Sequence, residues 1–313
     1  IGQEIVREQL RIALDAARQR REPLDHVLLD GPPGLGKTTL AHIIAEEMGA
    51  GLHLTSGPAI TRQGDLMMML TQLEAGDVIF VDEIHRLHKV VEEFLYPALE
   101  DFRVDYTTES GIGGRTVNFA LKRFTLIGAT TRAGMLSSAL HSRFGLFFHL
   151  QYYSTEELTR IVARNAELLK VAAERPALEL LASRSRGTPR IANRLLRRVR
   201  DYAQVRGDGR LTPQVVDAAL GILQIDALGL DALDRAYLTT LIKHYDGGPA
   251  GIEAIAASMG HERDTLEDVV EPYLLQIGFV VRTPRGRVAR PAVYQHLGLP
   301  LPAKAPEQPG LFG

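Results

Sequence analysis

The stretch "GPPGLGKTT", residues 31–39, decides the fold class of this chain. It directly follows the apolar run "HVLLD" (26–30) and opens a helical pattern, so it matches G-x-x-x-x-G-K-[ST] in the required strand–loop–helix context. Glycines in such a loop let backbone N–H groups curve around phosphate oxygens, and the helix N-terminus adds a favourable dipole. A Gly/Pro-rich turn that merely contains a lysine would not need the flanking strand and helix. The stretch therefore predicts a phosphate-binding loop in an α/β domain.

The same loop supplies the candidate nucleotide ligands. Lys37 would reach the β- and γ-phosphates of ATP, and Thr38 would hold Mg²⁺ through its hydroxyl. The other residues of the loop that we expect to contact the nucleotide are Gly34, Leu35, Gly36 and Thr39.

Composition narrows the class of protein. The 313 residues carry a formal net charge of -2, with 45% hydrophobic and 24% charged residues, which is ordinary for a soluble globular protein. The chain has no cysteine, which excludes disulfides, thiolate metal sites and cysteine nucleophiles. No apolar run approaches the ~20 residues of a membrane helix, so we expect a cytoplasmic protein with no membrane contact. The chain opens with Ile1 rather than Met, which predicts that a leading segment precedes it.

Short apolar runs alternate with helical patterns up to residue 153. Runs that are buried on both faces and separated by helices predict a doubly wound parallel sheet. A β-hairpin with the glycine-rich tip "GIGG" is predicted at 103–121. The predicted strands of the sheet are His26–Asp30, Leu52–Ser56, Val78–Asp82, Phe124–Thr130 and Phe147–Tyr153.

The pattern then changes twice along the chain. Residues 154–227 are helical throughout, and residues 228–300 read as three helices followed by two short strands around a basic turn, which is typical of a winged helix. The proline-rich tail at 301–313 is predicted to be disordered. The predicted organisation is thus a large domain at 1–153, a small helical domain at 154–227 and a winged-helix domain at 228–300.

Two carboxylates end the strand "VIFVD" (78–82). Asp82 would ligate Mg²⁺, and Glu83 would orient or deprotonate an attacking water. Phosphoryl transfer depends on positioning and on charge neutralisation, so few residues are needed. His85 and His88 follow, but without H-E-x-x-H or a visible third ligand they are interpreted as helix residues.

The order of motifs resembles a known family. After the phosphate loop come "VDEIHRLH" (81–88), "LIGATTR" (126–132), "HSRFG" (141–145) and "RGTPRIANRLLRRVRDYA" (186–203), the motif order of an AAA+ ATPase. The sequences of these stretches resemble those of the RuvB family. The same is true of "IGQE", "GPAI", "EPYLLQIGF" and "RTPRGR", so the resemblance extends over nearly the whole chain. The resemblance implies an AAA+ P-loop sheet domain, a helical lid domain and a C-terminal winged-helix domain.

The resemblance also implies roles for individual residues. Thr131 stands at the sensor-1 position, Arg143 resembles the arginine finger that serves the neighbouring subunit's ATP, and Arg190 resembles the sensor-2 arginine of the lid. The positions that match the family's nucleotide contacts by resemblance alone are Glu100, Asp101, Phe102 and Tyr153.

The function that the resemblance implies is ATP-driven branch migration of Holliday junctions in recombination, DNA repair and the SOS response. Because a finger acts in trans, we expect a ring, a homo-hexamer in this family, acting on double-stranded DNA. The implied partners are the junction-binding protein RuvA and the resolvase RuvC. Ile112, a large apolar residue at the hairpin tip, is the expected RuvA contact.

The stretch "RTPRGRVAR" (282–290) concentrates four arginines in a nearly neutral chain. The helix before it carries five acids, Glu262, Asp264, Glu267, Asp268 and Glu271, and would repel DNA phosphates. The wing rather than this helix should therefore contact DNA, with Arg282 and Arg287 on backbone phosphates, giving affinity without sequence preference.

Two other functions fit the same motifs. A clamp-loader-type AAA+ ATPase carries a similar finger, and a nucleotide-gated DNA-binding switch would use ATP for assembly without sustained work. Continuous turnover with displacement of DNA separates a motor from a switch.

Overall fold

A computed structural model describes residues 1–107 and 116–301. The described chain forms two compact units, the first comprising Ile1–Glu157 with Thr188–Arg190 and the second Leu158–Gly187 with the residues from Ile191 onward. The strands are β1 (Val27–Asp30), β2 (Leu52–Ser56), β3 (Val78–Asp82), β4 (Arg103–Thr107), β5 (Thr116–Ala120), β6 (Thr125–Thr130), β7 (Leu146–His149), β8 (Val280–Thr283) and β9 (Gly286–Ala289). The helices are α1 (Glu4–Arg20), α2 (Lys37–Met48), α3 (Gln63–Thr71), α4 (Lys89–Glu100), α5 (Ser138–His141), α6 (Thr155–Leu168), α7 (Arg175–Ser183), α8 (Pro189–Arg206), α9 (Pro213–Ile222), α10 (Ala232–Tyr245), α11 (Ile252–Met259), α12 (Arg263–Thr265), α13 (Glu271–Gln276) and α14 (Pro291–Leu297).

The first unit is built on a five-stranded sheet in the order β2-β3-β6-β1-β7. Each neighbouring pair is parallel, which confirms the predicted doubly wound sheet. Successive side chains of β1 enter different cores: Val27 and Leu29 pack with α1 and α2, whereas Leu28 packs with α3 and α4. Burial on both faces explains why the strands read as continuous apolar runs rather than alternating ones.

The carboxyl ends of three strands meet at one edge of this sheet. Asp30 at the end of β1 is in register with Thr130 at the end of β6, and β3 pairs with the other side of β6. In open parallel sheets ligands bind in the crevice outside these ends. The phosphate loop, the Asp-Glu pair and Thr131 follow directly from β1, β3 and β6, so the sheet places these segments at the same edge.

β4 and β5 form the predicted hairpin apart from the main sheet. They pair antiparallel from Arg103 opposite Ala120 to Thr107 opposite Thr116. Val104 anchors the hairpin because its side chain is fully buried against the core that contains α4. The predicted tip, including Ile112, lies outside the described residues.

The second unit contains α7, α9, the winged helix and all but the first residues of α6 and α8. In the winged helix, α10, α11, α13, α14 and β8 share one core, in which Tyr237 and Leu274 are fully buried. A π-helical turn at Leu266–Val270 joins α12 to α13, so the acidic third helix is continuous from 263 to 276. β8 and β9 form the wing, in which Arg282 is directly opposite Arg287.

Candidate nucleotide-binding site and basic wing

The phosphate loop turns sharply between β1 and α2 because all three of its glycines, Gly31, Gly34 and Gly36, have positive φ. Gly34 has φ +82° and Gly36 has φ +102°, values that side chains with a Cβ rarely adopt. A Cβ on Gly34 would lie 2.9 Å from the Cβ of Arg190. The backbone N–H of Arg190 is also 3.3 Å from the carbonyl oxygen of Gly34. Gly34 thus allows the sensor-2 candidate to approach the loop.

Lys37 is folded into the loop that it would serve. Its side chain is buried, and Nζ donates to the carbonyl oxygens of Gly31 at 2.6 Å and Pro32 at 2.9 Å. Burial lowers the pKa of this ammonium, while the nearby carboxylates of Asp82 and Asp30 act in the opposite direction. The ammonium charge is therefore held under the loop, where a phosphate group would gain its full electrostatic attraction.

The two carboxylates at the end of β3 point to different partners. A carboxylate oxygen of Asp82 accepts a hydrogen bond at 3.0 Å from the backbone N–H of Glu83. Glu83 itself has left-handed backbone geometry, with φ 48°, and its carboxylate pairs with Arg86 at 3.1 Å. The turn after β3 thus separates a carboxylate near Lys37 from a second one that pairs with Arg86.

Thr131 follows β6 at the sheet edge, half-buried. Its neighbour Thr130 is buried, and the Thr130 hydroxyl lies 2.9 Å from Nδ1 of His85 and accepts from the backbone N–H of Arg132 at 3.0 Å. His85, interpreted from sequence as an ordinary helix residue, lies in a 3₁₀ turn and links the segment after Glu83 to the sensor strand. Its position two residues beyond the acidic pair is the only sequence signal for that contact.

Tyr153 joins the chain start to the phosphate loop. Its hydroxyl donates to the carbonyl oxygen of Leu35 at 3.2 Å, and its ring lies against Gly2, where a Cβ would be 2.5 Å away. Burial raises the pKa of Tyr153, so the phenol remains a donor at neutral pH. Tyr153, Gly34, Leu35 and Arg190 are therefore brought together around the loop.

Arg143 contacts a different surface of the first unit. Its guanidinium lies 4.2 Å from the centroid of the Tyr96 ring, and it pairs with Glu100 at 3.0 Å. The side chain is 17% exposed, and its buried Nε has no hydrogen-bond partner. The structure thus pairs two of the predicted residues, Arg143 and Glu100. It also places Tyr96, which no sequence motif indicates, against Arg143.

Asp101 and Phe102, which the resemblance assigns to nucleotide contacts together with Glu100, make contacts within the first unit. Asp101 pairs with Arg103 at 3.1 Å. Phe102 packs edge-on against Phe124, with ring centroids 5.7 Å apart, and the guanidinium of Arg123 lies 5.4 Å from its ring centroid. These contacts fix the turn between α4 and the hairpin.

The residues available for a metal are few. Within residues 1–107 and 116–301 no group of three or more His, Cys, Asp or Glu could hold an ion. Thr38 is exposed at the start of α2 and Asp82 is half-buried at the end of β3. One hydroxyl and one carboxylate oxygen are the ligand types that Mg²⁺ prefers, and such sites are normally completed by phosphate oxygens and water. The donor set therefore fits Mg²⁺ bound together with a nucleotide.

In the winged helix, a buried carboxylate holds both predicted DNA contacts. Glu271 is fully buried; it accepts from Arg282 Nε at 2.9 Å, from Arg287 Nε at 2.7 Å and from the Tyr237 hydroxyl at 2.7 Å. Arg287 also donates to Glu267 at 2.7 Å. The side chain of Arg287 is only 14% exposed, compared with 48% for Arg282. The acidic helix thus neutralises two of the four wing arginines.

The other two wing arginines face solvent. Arg285 is exposed in the turn between β8 and β9, and Arg290 is exposed just before α14. A hydrogen bond of 2.8 Å from the Thr283 hydroxyl to the carbonyl oxygen of Gly286 closes the turn that presents Arg285.

A buried arginine connects the helices of the small domain to the winged helix within the second unit. The guanidinium of Arg186 donates to Asp234 at 2.5 Å, pairs with Asp231 at 3.1 Å and donates to the carbonyl oxygen of Gly229 at 2.7 Å. Tyr273 lies beneath it, with its ring centroid 5.3 Å away. No local sequence pattern indicates this ion pair, because Arg186 and its partners are 45 to 48 residues apart.

Comparison with known proteins covers nearly the whole chain. Residues 1–150 match the Holliday junction DNA helicase RuvB P-loop domain, residues 153–226 the RuvB AAA lid domain and residues 227–298 the RuvB C-terminal winged helix domain. Two solved point mutants of Thermotoga maritima RuvB are each 52% identical with a TM-score of 0.90; the match covers 96% of this chain and 96% or 97% of theirs.

The Thermotoga maritima RuvB Holliday junction branch migration motor is 53% identical, with a TM-score of 0.88 and 96% of each chain covered. No helix in the part of the chain described by the structure is long and apolar enough to cross a membrane. The resemblance identified from the motifs is confirmed over all three segments. The chain therefore belongs to the RuvB family of AAA+ ATPases.

Proposed function

We propose that this protein is an ATP-hydrolysing motor that moves double-stranded DNA and so drives branch migration of Holliday junctions during recombination and repair. The observation that carries the proposal is the consecutive match of three RuvB domain types on a chain with a complete phosphate loop. We propose the cytoplasm as the place where this motor works.

The residues of the first unit supply the parts that hydrolysis needs. We assign Lys37 to the β- and γ-phosphates, Glu83 to the attacking water and Thr131 to the γ-phosphate or that water. Thr38 and Asp82 would hold Mg²⁺, which neutralises charge on the phosphates when it is bound. Arg190, whose backbone already contacts Gly34, would contact the nucleotide as the sensor-2 residue. Positioning and charge neutralisation account for most of the rate in this chemistry.

We further propose a homo-hexameric ring. The side chain of Arg143 contacts Tyr96, Glu100 and Ala139 rather than its own phosphate loop. That arrangement supports a finger that serves the neighbouring subunit's ATP. RuvA is the proposed partner at the β4–β5 hairpin through Ile112, and RuvC is the proposed partner that resolves the junction.

We propose that the wing contacts DNA, but through a different set of arginines from the one that the sequence predicts. Arg285 and Arg290 are exposed, and Arg282 retains half of its exposure while it pairs with Glu271. Arg287 is enclosed by Glu267 and Glu271, so we assign it to support of the wing. Contacts from arginines to backbone phosphates give affinity without sequence preference, as a motor that crosses any sequence requires.

A branch-migration assay on synthetic four-way junctions tests the proposal. With RuvA and ATP we expect continuous hydrolysis together with release of two duplex products. Glu83→Gln is the matched control: it should bind ATP and DNA but hydrolyse roughly 10²–10⁴-fold more slowly, because it lacks the group that activates water. Nucleotide-dependent DNA binding without sustained turnover would identify a switch instead, and stimulation by a sliding clamp rather than by junctions would identify a clamp loader.

A further inference from the structure

We propose that Tyr96 is a positioning residue for Arg143. The Tyr96 ring supports the guanidinium of this arginine finger and orients it toward the neighbouring subunit. The inference rests on the proposed role of Arg143 and extends it to a residue that no motif marks. It is carried by the position of the guanidinium carbon over the Tyr96 ring, 4.2 Å from the ring centroid.

A ring suits a finger as a partner because arginine can contact it with the face of the guanidinium. The N–H donors of arginine lie in the plane of the group, so contact with a ring leaves them able to donate to a phosphate. The side chain has several rotatable bonds, and an unsupported finger would lose entropy each time it engaged ATP. A ring beneath it removes much of that freedom in advance, which is how positioning contributes to rate.

The other partners of Arg143 are easier to exchange. Glu100 is 57% exposed, and an ion pair at that exposure is weak and readily replaced by a phosphate. Arg143 Nε is buried without a hydrogen-bond partner, although buried polar groups are nearly always paired. The carbonyl oxygen of Ala139 also accepts from Nη1, so the guanidinium is held by the ring together with an incomplete set of hydrogen bonds.

Tyr96 is itself fixed to the element that carries the finger. Its hydroxyl donates to Glu92 at 2.6 Å and lies 3.2 Å from the hydroxyl of Ser137. Ser137 caps α5 by accepting from the backbone N–H of Leu140 at 3.0 Å, and the backbone N–H of Arg143 bonds to the carbonyl oxygen of Leu140. Burial raises the pKa of Tyr96, so the phenol stays a donor. The Tyr96 hydroxyl thus contacts Ser137 before α5, and the Tyr96 ring contacts Arg143 after it, so Tyr96 connects α4 to both ends of residues 137–143.

The test uses the full chain with three substitutions. Tyr96→Leu removes the ring, Tyr96→Phe keeps the ring but removes the hydroxyl, and Arg143→Ala removes the finger. We expect Tyr96→Leu to lower kcat at least about tenfold while ATP affinity stays within about twofold, because only the aim of the finger is lost. Tyr96→Phe should keep most of the activity. Tyr96→Leu combined with Arg143→Ala should be no slower than Arg143→Ala alone.

Mixed rings show on which side of the interface the defect lies. Tyr96→Leu subunits mixed with Glu83→Gln subunits should regain activity, since some sites then combine an intact finger with an intact Glu83. Tyr96→Leu mixed with Arg143→Ala should gain nothing, because both lesions affect the finger. A normal kcat for Tyr96→Leu, an equal loss in Tyr96→Phe, or additive losses in the double variant would overturn the inference. A normal rate for Arg143→Ala would overturn the finger and this inference together, whereas a slow Arg143→Ala beside a normal Tyr96→Leu would refute the platform alone.

Discussion

Replacing Arg287 with Gln should loosen the wing without changing the salt dependence of DNA binding, whereas Arg285→Gln should do the reverse. The two arginines are two residues apart in the same basic turn, and Gln keeps much of the length of either side chain while removing its charge. They differ in surroundings: Arg287 is 14% exposed between Glu267 and Glu271, and Arg285 is exposed to solvent.

The size of the Arg287 effect follows from the carboxylate that it leaves behind. Glu271 is fully buried and would keep only Arg282 and the Tyr237 hydroxyl as partners. Loss of one partner from a buried ion pair costs about 3–5 kcal/mol, and the two remaining partners argue for the lower end, about 3 kcal/mol. That change would speed amide exchange in the wing strands roughly 10²-fold, since each 1.4 kcal/mol is a factor of ten.

Two measurements on the full chain check these expectations. Hydrogen exchange over β8 and β9 should quicken in Arg287→Gln and stay unchanged in Arg285→Gln, because exposed substitutions usually alter stability by less than about 0.5 kcal/mol. The slope of log K against log salt should fall by about 0.9 in Arg285→Gln, equally for two unrelated duplexes, because one phosphate contact is lost. A slope that falls by that amount in Arg287→Gln, with unaltered exchange, would refute the assignment of Arg287 to wing support.

Three further predictions concern other parts of the chain. Burial lowers the pKa of His26, so the unfolded state binds a proton more readily than the folded state. As the pH drops below about 6.5, the free energy of unfolding should therefore decrease by at most about 1.4 kcal/mol per pH unit. Urea unfolding between pH 7.5 and 5 should show that His26→Gln lacks this dependence. Arg186→Met should destabilise the second unit by about 3–5 kcal/mol, because the buried carboxylate of Asp234 loses its ion-pair partner. Calorimetry should show that adding Asp234→Leu recovers most of this loss. If Arg186 contributed only steric packing, the second substitution would recover nothing. Ile112→Asp should abolish stimulation of the ATPase by RuvA and spare the basal rate; equal loss of both would point to a folding defect instead.

Sequence patterns predicted the sheet well because strand burial leaves a local signature. β2 and β3 begin and end at the predicted residues, and β1 begins one residue later than predicted. The displaced residue, His26, has another role: its Nδ1 accepts from the backbone N–H of Leu126 and its Nε2 bonds the carbonyl oxygen of Leu99. β7 ends at His149 rather than Tyr153, because the chain leaves the sheet and Tyr153 turns to the phosphate loop.

Side-chain partners were harder to predict because they depend on three-dimensional proximity. The acids of the third winged-helix segment were interpreted as a surface that would repel DNA. Two of them, Glu267 and Glu271, instead pair with wing arginines that follow 11 to 20 residues later. Charge counted along the sequence treats Arg285 and Arg287 alike, whereas the fold neutralises only one of them.

The arginines of the segment "RSRGTPR" (184–190) also have partners that depend on proximity in the fold. Arg184 donates to the carbonyl oxygen of Ala227, and Arg186 pairs with Asp234, so both hold the start of the winged helix. Arg190, four residues after Arg186, has its backbone N–H on the phosphate loop. Three arginines of one seven-residue segment thus have partners in three different parts of the chain, which their spacing in the sequence does not indicate.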